Sequence, residues 1–142
     1  YSIRAVYVMT DELKLVVGPG HRFGGRTEVS IKELGDEVFV AHNAVSPYRQ
    51  KVIEMFEKHR TKLTIAIELP SLEAIKRLVE NGVGVALVPR LTAQSEIDSG
   101  QLIALSVKEM KFERKLNIIY RRNSELSHAA RAFLKIAKEI SV

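Results

Sequence analysis

The stretch Ser71–Pro89, SLEAIKRLVENGVGVALVP, carries the reading of the fold. Ser71 is the residue type a helix start favours, and Leu72, Ile75, Leu78 and Val79 recur at the spacing of one helical face. Asn81-Gly82 supplies the stop. Val85-Ala86-Leu87-Val88 follows as a short apolar run, which predicts a strand buried on both faces and ended by Pro89.

The same grammar stands immediately upstream. Val38-Phe39-Val40-Ala41 is a second short apolar run, and Ser46-Pro47 pairs an N-cap with a favoured first helical residue. Tyr48, Val52, Met55, Phe56 and His59 keep helical spacing behind it, and Leu63 to Leu69 alternates as a strand should. Strand, helix, strand, helix, strand at these spacings predicts an α/β lobe with a parallel sheet, complete within residues 29–100.

The flanks are less self-sufficient. Residues 1–28 hold two β-rich runs, Ile3–Val8 and Leu13–Val17, parted by Thr10-Asp11-Glu12, and then the glycines of Gly18-Pro19-Gly20 and Gly24-Gly25. Ser30-Ile31-Lys32-Glu33 matches a capping box and predicts a short helix stopping near Gly35. A helix is expected over Leu91 to Ile97, and Gly100 leads into residues 101–142. These carry strands over Leu102–Val107 and Lys115–Arg121 and a helix capped by Ser127, with Ala130, Phe133, Leu134, Ala137 and Ile140 on one face. They do not by themselves make a second core. The chain opens on Tyr1 directly in a strand-like run, as the middle of a longer protein would.

Composition narrows the classes. The 142 residues are 46% hydrophobic, enough for a core. No cysteine is present, which excludes a disulfide framework, a thiolate metal site and a cysteine nucleophile, and fits a cytoplasmic setting. No apolar run reaches the ~20 residues of a membrane span, and the first residues do not form a signal peptide. The net charge of +5 is spread among acids along the chain, which reads as a solvated surface and not a polyanion groove.

In an open parallel sheet, ligands sit beyond the carboxyl ends of the strands. Those ends carry His42, Asn43 and Ser46 after the first lobe strand, Pro70, Ser71 and Leu72 after the second, and Pro89 with Arg90 after the third. Two run straight into helix N-termini, which favour a carboxylate or phosphate. Each residue also has a plainer reading: Ser46 and Ser71 as caps, His42 and Asn43 as solvated loop, Pro89 as strand terminator, Arg90 as surface. The four histidines lack metal-ligand spacing, and no Gly-x-Ser-x-Gly elbow, P-loop or dinucleotide fingerprint occurs. No enzyme, metal or cofactor is expected.

The motifs together resemble the effector domain of LysR-type transcription regulators. Asp11–Phe23, DELKLVVGPGHRF, is similar to the family's strand and His-Pro-Leu turn, with Arg22 in the place of the usual proline. Ile31-Lys32-Glu33-Leu34 is similar to the short helix entering the second subdomain. Ser71–Pro89 matches its serine, isoleucine, Leu-Val pair, Gly-x-Gly turn and proline-ended strand. Gly100-Gln101-Leu102 and Ser127–Leu134, SHAARAFL, match its return strand and terminal helix.

The resemblance implies a type 2 periplasmic-binding-protein-like fold with a small, often anionic effector between two subdomains. It also implies a dimer or higher homo-oligomer, no membrane association, and DNA contacts made only through a winged helix-turn-helix outside this sequence. Residues 1–28 and 101–142 would belong to the first subdomain, with hinges near 18–28 and 98–106, and 29–100 would form the effector lobe. The implied binding residues are Ser71, Leu72 and Pro70, then Asn43 and Ser46, with His42 and Pro89 beside them. A solute-binding protein of the same fold, or an enzyme on a related one, stays open at this point.

Overall fold

The computed structural model describes residues 3–44, 46–121 and 127–140. They fall into two compact units, one of residues 1–11 with 113–142 and one of residues 12–112. The boundaries read from the sequence, at 28/29 and 100/101, both lie inside the second unit. The reason is β1 (Ile3–Val17), whose last residues are the central strand of that unit's sheet.

In residues 12–112, β1 lies between β5 (Ala86–Pro89) and β6 (Ile103–Val107), antiparallel to both. Beyond β6 lies the short parallel β2 (Glu28–Val29). On the other side, β3 (Val38–His42) pairs in parallel with β4 (Thr64–Leu69) and reaches the β5 segment through Val85. Val40 N–H donates to the Val85 carbonyl and Val85 N–H to that of Val38, both at 2.9 Å. Of the parallel sheet expected from the sequence, β3 and β4 form the ladder, while β5 pairs antiparallel with β1 and meets β3 only through the single bridge at Val85.

Alternation along the strands divides the core in two. Leu13, Leu15, Val17, Phe39, Val85, Leu105 and Val107 face one side, where α1 (Pro47–Lys58) adds Val52 and Phe56. Val16, Val40, Ala86 and Val88 face the other, where α2 (Leu72–Glu80) adds Ile75 and Val79. Phe39 and Phe56 meet edge to face, 5.8 Å apart. In β4 an irregularity in the pairing with β3 reverses the parity, so Leu63 and Ile65 join the first cluster but Ile67 and Leu69 the second.

The Gly-x-Gly turn ahead of β5 has two distinct causes. Gly82 adopts φ +79°, the left-handed conformation that ends a helix. At Gly84 a Cβ would come within 2.7 Å of the Val38 carbonyl oxygen, so glycine is what allows β5 to approach β3.

A 3-10 helix over Ile31–Asp36 takes the place of the short helix expected after Ser30; Glu33 reaches back to accept the Ser30 N–H at 2.8 Å. The helix expected over Leu91–Ile97 is a 3-10 turn, Arg90–Ala93, running into α3 (Gln94–Asp98). Buried Lys76, 6% exposed, ties α2 to this segment through the Thr92 carbonyl and Glu96.

In the unit of residues 1–11 and 113–142, β7 (Glu113–Arg121) pairs with β1, followed by α4 (His128–Ile140), whose start is capped by Ser127. Two expectations are corrected. Ile3–Val8 and Leu13–Val17 are not separate strands: Thr10-Asp11-Glu12 continues β1, and buried Asp11 is paired with Arg114 at 3.2 Å. On α4, Leu134 and Ala137 are buried while Phe133 is 60% exposed, because it lies about 100° around the helix from Leu134. The side chain of Ile140 lies outside the described ones.

Candidate functional site

Parallel pairing delivers three strand ends to one edge. His42 stands opposite Leu69 in the β3–β4 register, which sets Asn43 level with Pro70. Phe39 stands opposite Val85 in a single parallel bridge, so the segment entering β5 runs in the same direction as β3. Asn43 N–H donates to the Leu69 carbonyl at 3.0 Å and locks the two loops together. Adjacent strands lie ~4.8 Å apart, so Asn43 and Pro70 stand side by side at this edge.

Both helices that follow these strands begin at this edge. Ser46 Oγ accepts the Arg49 N–H and Ser71 Oγ the Ala74 N–H, each at 3.2 Å, so both serines are caps, as their plainer reading had it. The helices flank the edge from opposite faces, since α1 packs on the first cluster and α2 on the second. The connections leave β3 for β4 on one side and return to β5 on the other, which makes the β3/β5 edge the topological switch point.

The two N-termini differ in what they offer. α1 begins with proline, which has no N–H. At α2, among the described residues, the N–H groups of Leu72 and Glu73 meet no acceptor. Those two donors, with the positive end of the helix dipole, make α2 the stronger anion seat. Ser71, Pro70, Asn43 and His42 are exposed there; Leu72, Ser46 and Pro89 are half-buried. His42 Nδ1 accepts the Ala44 N–H at 2.9 Å, which leaves Nε2 as the outward nitrogen.

Arg49, not singled out by the sequence reading, belongs to this edge. It donates to the His42 carbonyl at 3.3 Å and pairs with Glu68 at 2.7 Å, bracing the ends of β3 and β4. A cation in the first turn of a helix opposes the dipole, and that mismatch was the available signal. Arg90 turns toward the far side of the edge, to Glu12 at 3.6 Å and Gln94 at 3.3 Å. Among the described residues no three His, Asp or Glu side chains are grouped to hold a metal ion, and no helix is long and apolar enough to cross a membrane.

Comparison with known proteins follows the same line. The sequence profile described as the LysR substrate binding domain matches residues 1–141. The chain is 28% identical over 132 residues to a RuBisCO operon transcriptional regulator of Allochromatium vinosum, covering 93% of this chain and 44% of that protein. It is 27% identical over 133 residues to the HTH-type transcriptional activator CmpR of Synechocystis sp., covering 94% and 44%. The chain thus spans less than half the length of these relatives. Among solved structures, the Synechocystis CcmR regulatory domain in complex with 2-PG superposes with TM-score 0.76 at 24% identity, over 98% of this chain and 67% of that one. The effector binding domain of QuiR in complex with shikimate does so with TM-score 0.69 at 20% identity, over 98% and 65%. At those identities the likeness is one of fold, the type 2 periplasmic-binding-protein-like fold. With a family profile matched along nearly its whole length, the chain belongs to the LysR substrate binding domain family.

Proposed function

We propose that this chain is the effector-sensing domain of a LysR-type transcription regulator, and that a small anionic metabolite binds at the carboxyl edge of β3, β4 and β5. The observation that carries the reading is the pair of open N–H donors at the start of α2, set beside Pro70 and Asn43 at the switch point. Ser71, Leu72, Pro70, Asn43, Ser46, His42 and Pro89 are the contact residues of this reading, with Arg49 as a brace. The effector lobe is then the unit 12–112, wider than the span 29–100. The domain senses and does not catalyse; the regulator works in the cytoplasm as a homo-oligomer and contacts DNA through a separate winged helix-turn-helix.

Thermal-shift screening of small carboxylates and phosphorylated acids, with 2-PG and shikimate among the first probes, should find ligands that raise the melting temperature. Ser71→Ala then separates cap from contact. Loss of the cap lowers stability without ligand by ~1 kcal/mol. Loss of a ligand hydrogen bond lowers affinity by a further ~0.5–1.5 kcal/mol in calorimetric titration. Stability that falls with affinity unchanged would remove Ser71 from the binding set.

A further inference from the structure

The opposite edge of the same sheet carries a second feature. Strands β3 and β4 enter the sheet past a concavity of about 680 Å³, lined by Lys32, Gly35 and Asp36 on one side and by Lys58, His59, Arg60, Thr61 and Lys62 on the other. It is an open surface depression: five of its eight lining residues are exposed and none is buried. Four of its eight lining residues are Lys or Arg, and only Asp36 is acidic. Three of the four cations stand within the consecutive residues Lys58-His59-Arg60-Thr61-Lys62, and the packing of the 3-10 helix beside the α1–β4 turn adds Lys32.

Elsewhere in the unit of residues 12–112, six of ten cations are engaged with carboxylates, Lys51 lies over the Phe112 ring, and Arg77, Lys108 and Lys111 have no side-chain partner among the described residues. Lys14, Arg22, Arg26, Arg49, Lys76 and Arg90 all hold carboxylates. Among the described residues, Lys32, Lys58, Arg60 and Lys62 have no ion-pair or hydrogen-bond partner for their side chains. The C-terminus of α1 explains part of this gathering, since its dipole end attracts positive charge. That end is worth about half a charge, and Lys32 comes from a different element.

Arg60 is the most informative of them. It sits at φ +51°, the left-handed position just past a helix, where glycine or asparagine is the ordinary choice. Its N–H donates to the Glu57 carbonyl at 3.0 Å and that of Thr61 to the Phe56 carbonyl at 2.9 Å, so the turn is well formed. A bulky cation is kept at a backbone position that disfavours it, and its side chain has no partner among the described residues. Across the concavity, Gly35 leaves room for the Thr61 methyl, which a Cβ would meet at 3.3 Å.

We propose that this concavity is a second anion site, distinct from the effector edge, for a compact metabolite carrying two or more phosphate charges. Four cations exceed what one carboxylate needs, and the wall offers no Phe, Tyr or Trp, only the smaller planes of His59 and Arg60. The ligand class is therefore a bisphosphate or polyphosphate without an aromatic base.

The probe is inorganic pyrophosphate, titrated calorimetrically into the 142-residue chain. The test variant is Arg60→Gly, which suits the φ of that residue and should fold at least as stably as the parent. Pyrophosphate should bind the parent, more weakly as salt is raised. Arg60→Gly should bind roughly tenfold more weakly, as loss of one charge-assisted hydrogen bond implies, while its melting temperature without ligand is equal or higher. Lys32→Gln should weaken binding in the same way, and Ser71→Ala, at the other edge, should leave it unchanged. Equal affinity in Arg60→Gly and parent would overturn the proposal, as would binding lost in Ser71→Ala, which would place the pyrophosphate at the effector edge. Binding of polyglutamate with no response to pyrophosphate would also overturn it and mark an acidic protein surface as the partner.

Discussion

Lys76 Nζ lies 2.7 Å from Glu96 Oε1 and 2.9 Å from the Thr92 carbonyl oxygen, in a position where the lysine is almost wholly covered. Burial by itself would lower the lysine pKa; hydrogen bonds to Glu73 and Glu96 outweigh it and hold the ammonium above its usual value. The Thr92 hydroxyl in turn donates to the Pro89 carbonyl at 2.6 Å, so the ammonium holds the segment leaving β5 against α2.

Lys76→Met should therefore cost ~1–3 kcal/mol, because Glu96 and a carbonyl lose a buried cation together. Chemical denaturation measures it. The double variant Lys76→Met with Glu96→Leu should regain part of the loss, since an apolar pair of similar volume leaves no orphaned charge. A single variant as stable as the parent would show that the bridge contributes nothing.

Acid should weaken the unit of residues 12–112 by a specific route. Hydrogen bonds from the Arg26 guanidinium and the Ser30 N–H lower Glu33 to about 2, and Lys76 lowers Glu96. Both carboxylates have folded pKa values below their unfolded ones. Their contribution is thus complete above the unfolded carboxylate value and drains away as pH falls below ~4.3 toward the folded values. Urea midpoints at pH 6, 4 and 2.5 should fall steadily, and Glu33→Gln should start lower at pH 6 and fall less steeply. A parallel decline in the variant would assign the acid sensitivity elsewhere.

Gly84→Ala should destabilise by ~1–3 kcal/mol, because the added methyl strikes the Val38 carbonyl that accepts the Val85 N–H. Gly82→Ala should cost ~1–2 kcal/mol for a different reason, the left-handed backbone, and Gly82→Asn less. Thermal melts of the three variants would rank them. An Asn as costly as Ala at residue 82 would contradict the backbone argument.

The isolated chain should form no sequence-specific complex with operator DNA at physiological salt. Six of the fourteen cations of residues 12–112 are committed to carboxylates and the net positive charge is small, so weak binding at low salt should vanish as salt is raised. Gel shifts against specific and scrambled duplexes decide it; a salt-resistant, sequence-dependent shift would contradict the expectation.

What could be read from the sequence was what local chemistry writes into it. Ser46, Ser71 and Ser127 announced their helices, and apolar runs at strand length announced β3 and β5. That Asn43 and Pro70 share an edge followed, because parallel strands end on the same edge. Other features depend on distant partners. Thr10-Asp11-Glu12 looked like a break because no local signal connects Asp11 to Arg114, which lets the acid be buried inside a strand. The alternation of Leu63–Leu69 looked like one face because a pairing irregularity with β3 is invisible in β4 alone. Arg49 and the Lys32–Lys62 concavity became visible only once the elements were packed.

The position of β1 sets an order of assembly. Leu15 is registered to Leu87 on one side and to Leu105 on the other, so the middle of the sheet is stitched from segments far apart in the chain. Contacts of such long range make for slow folding. A nascent chain that has emerged only as far as Pro89 can already dock Leu13–Val16 against β5, yet the other rim of β1 stays bare until Ile103–Leu105 arrives. In that interval an apolar strand presents its unpaired N–H and C=O groups to any neighbour, which makes residues 13–17 the place where a stalled or truncated chain would aggregate.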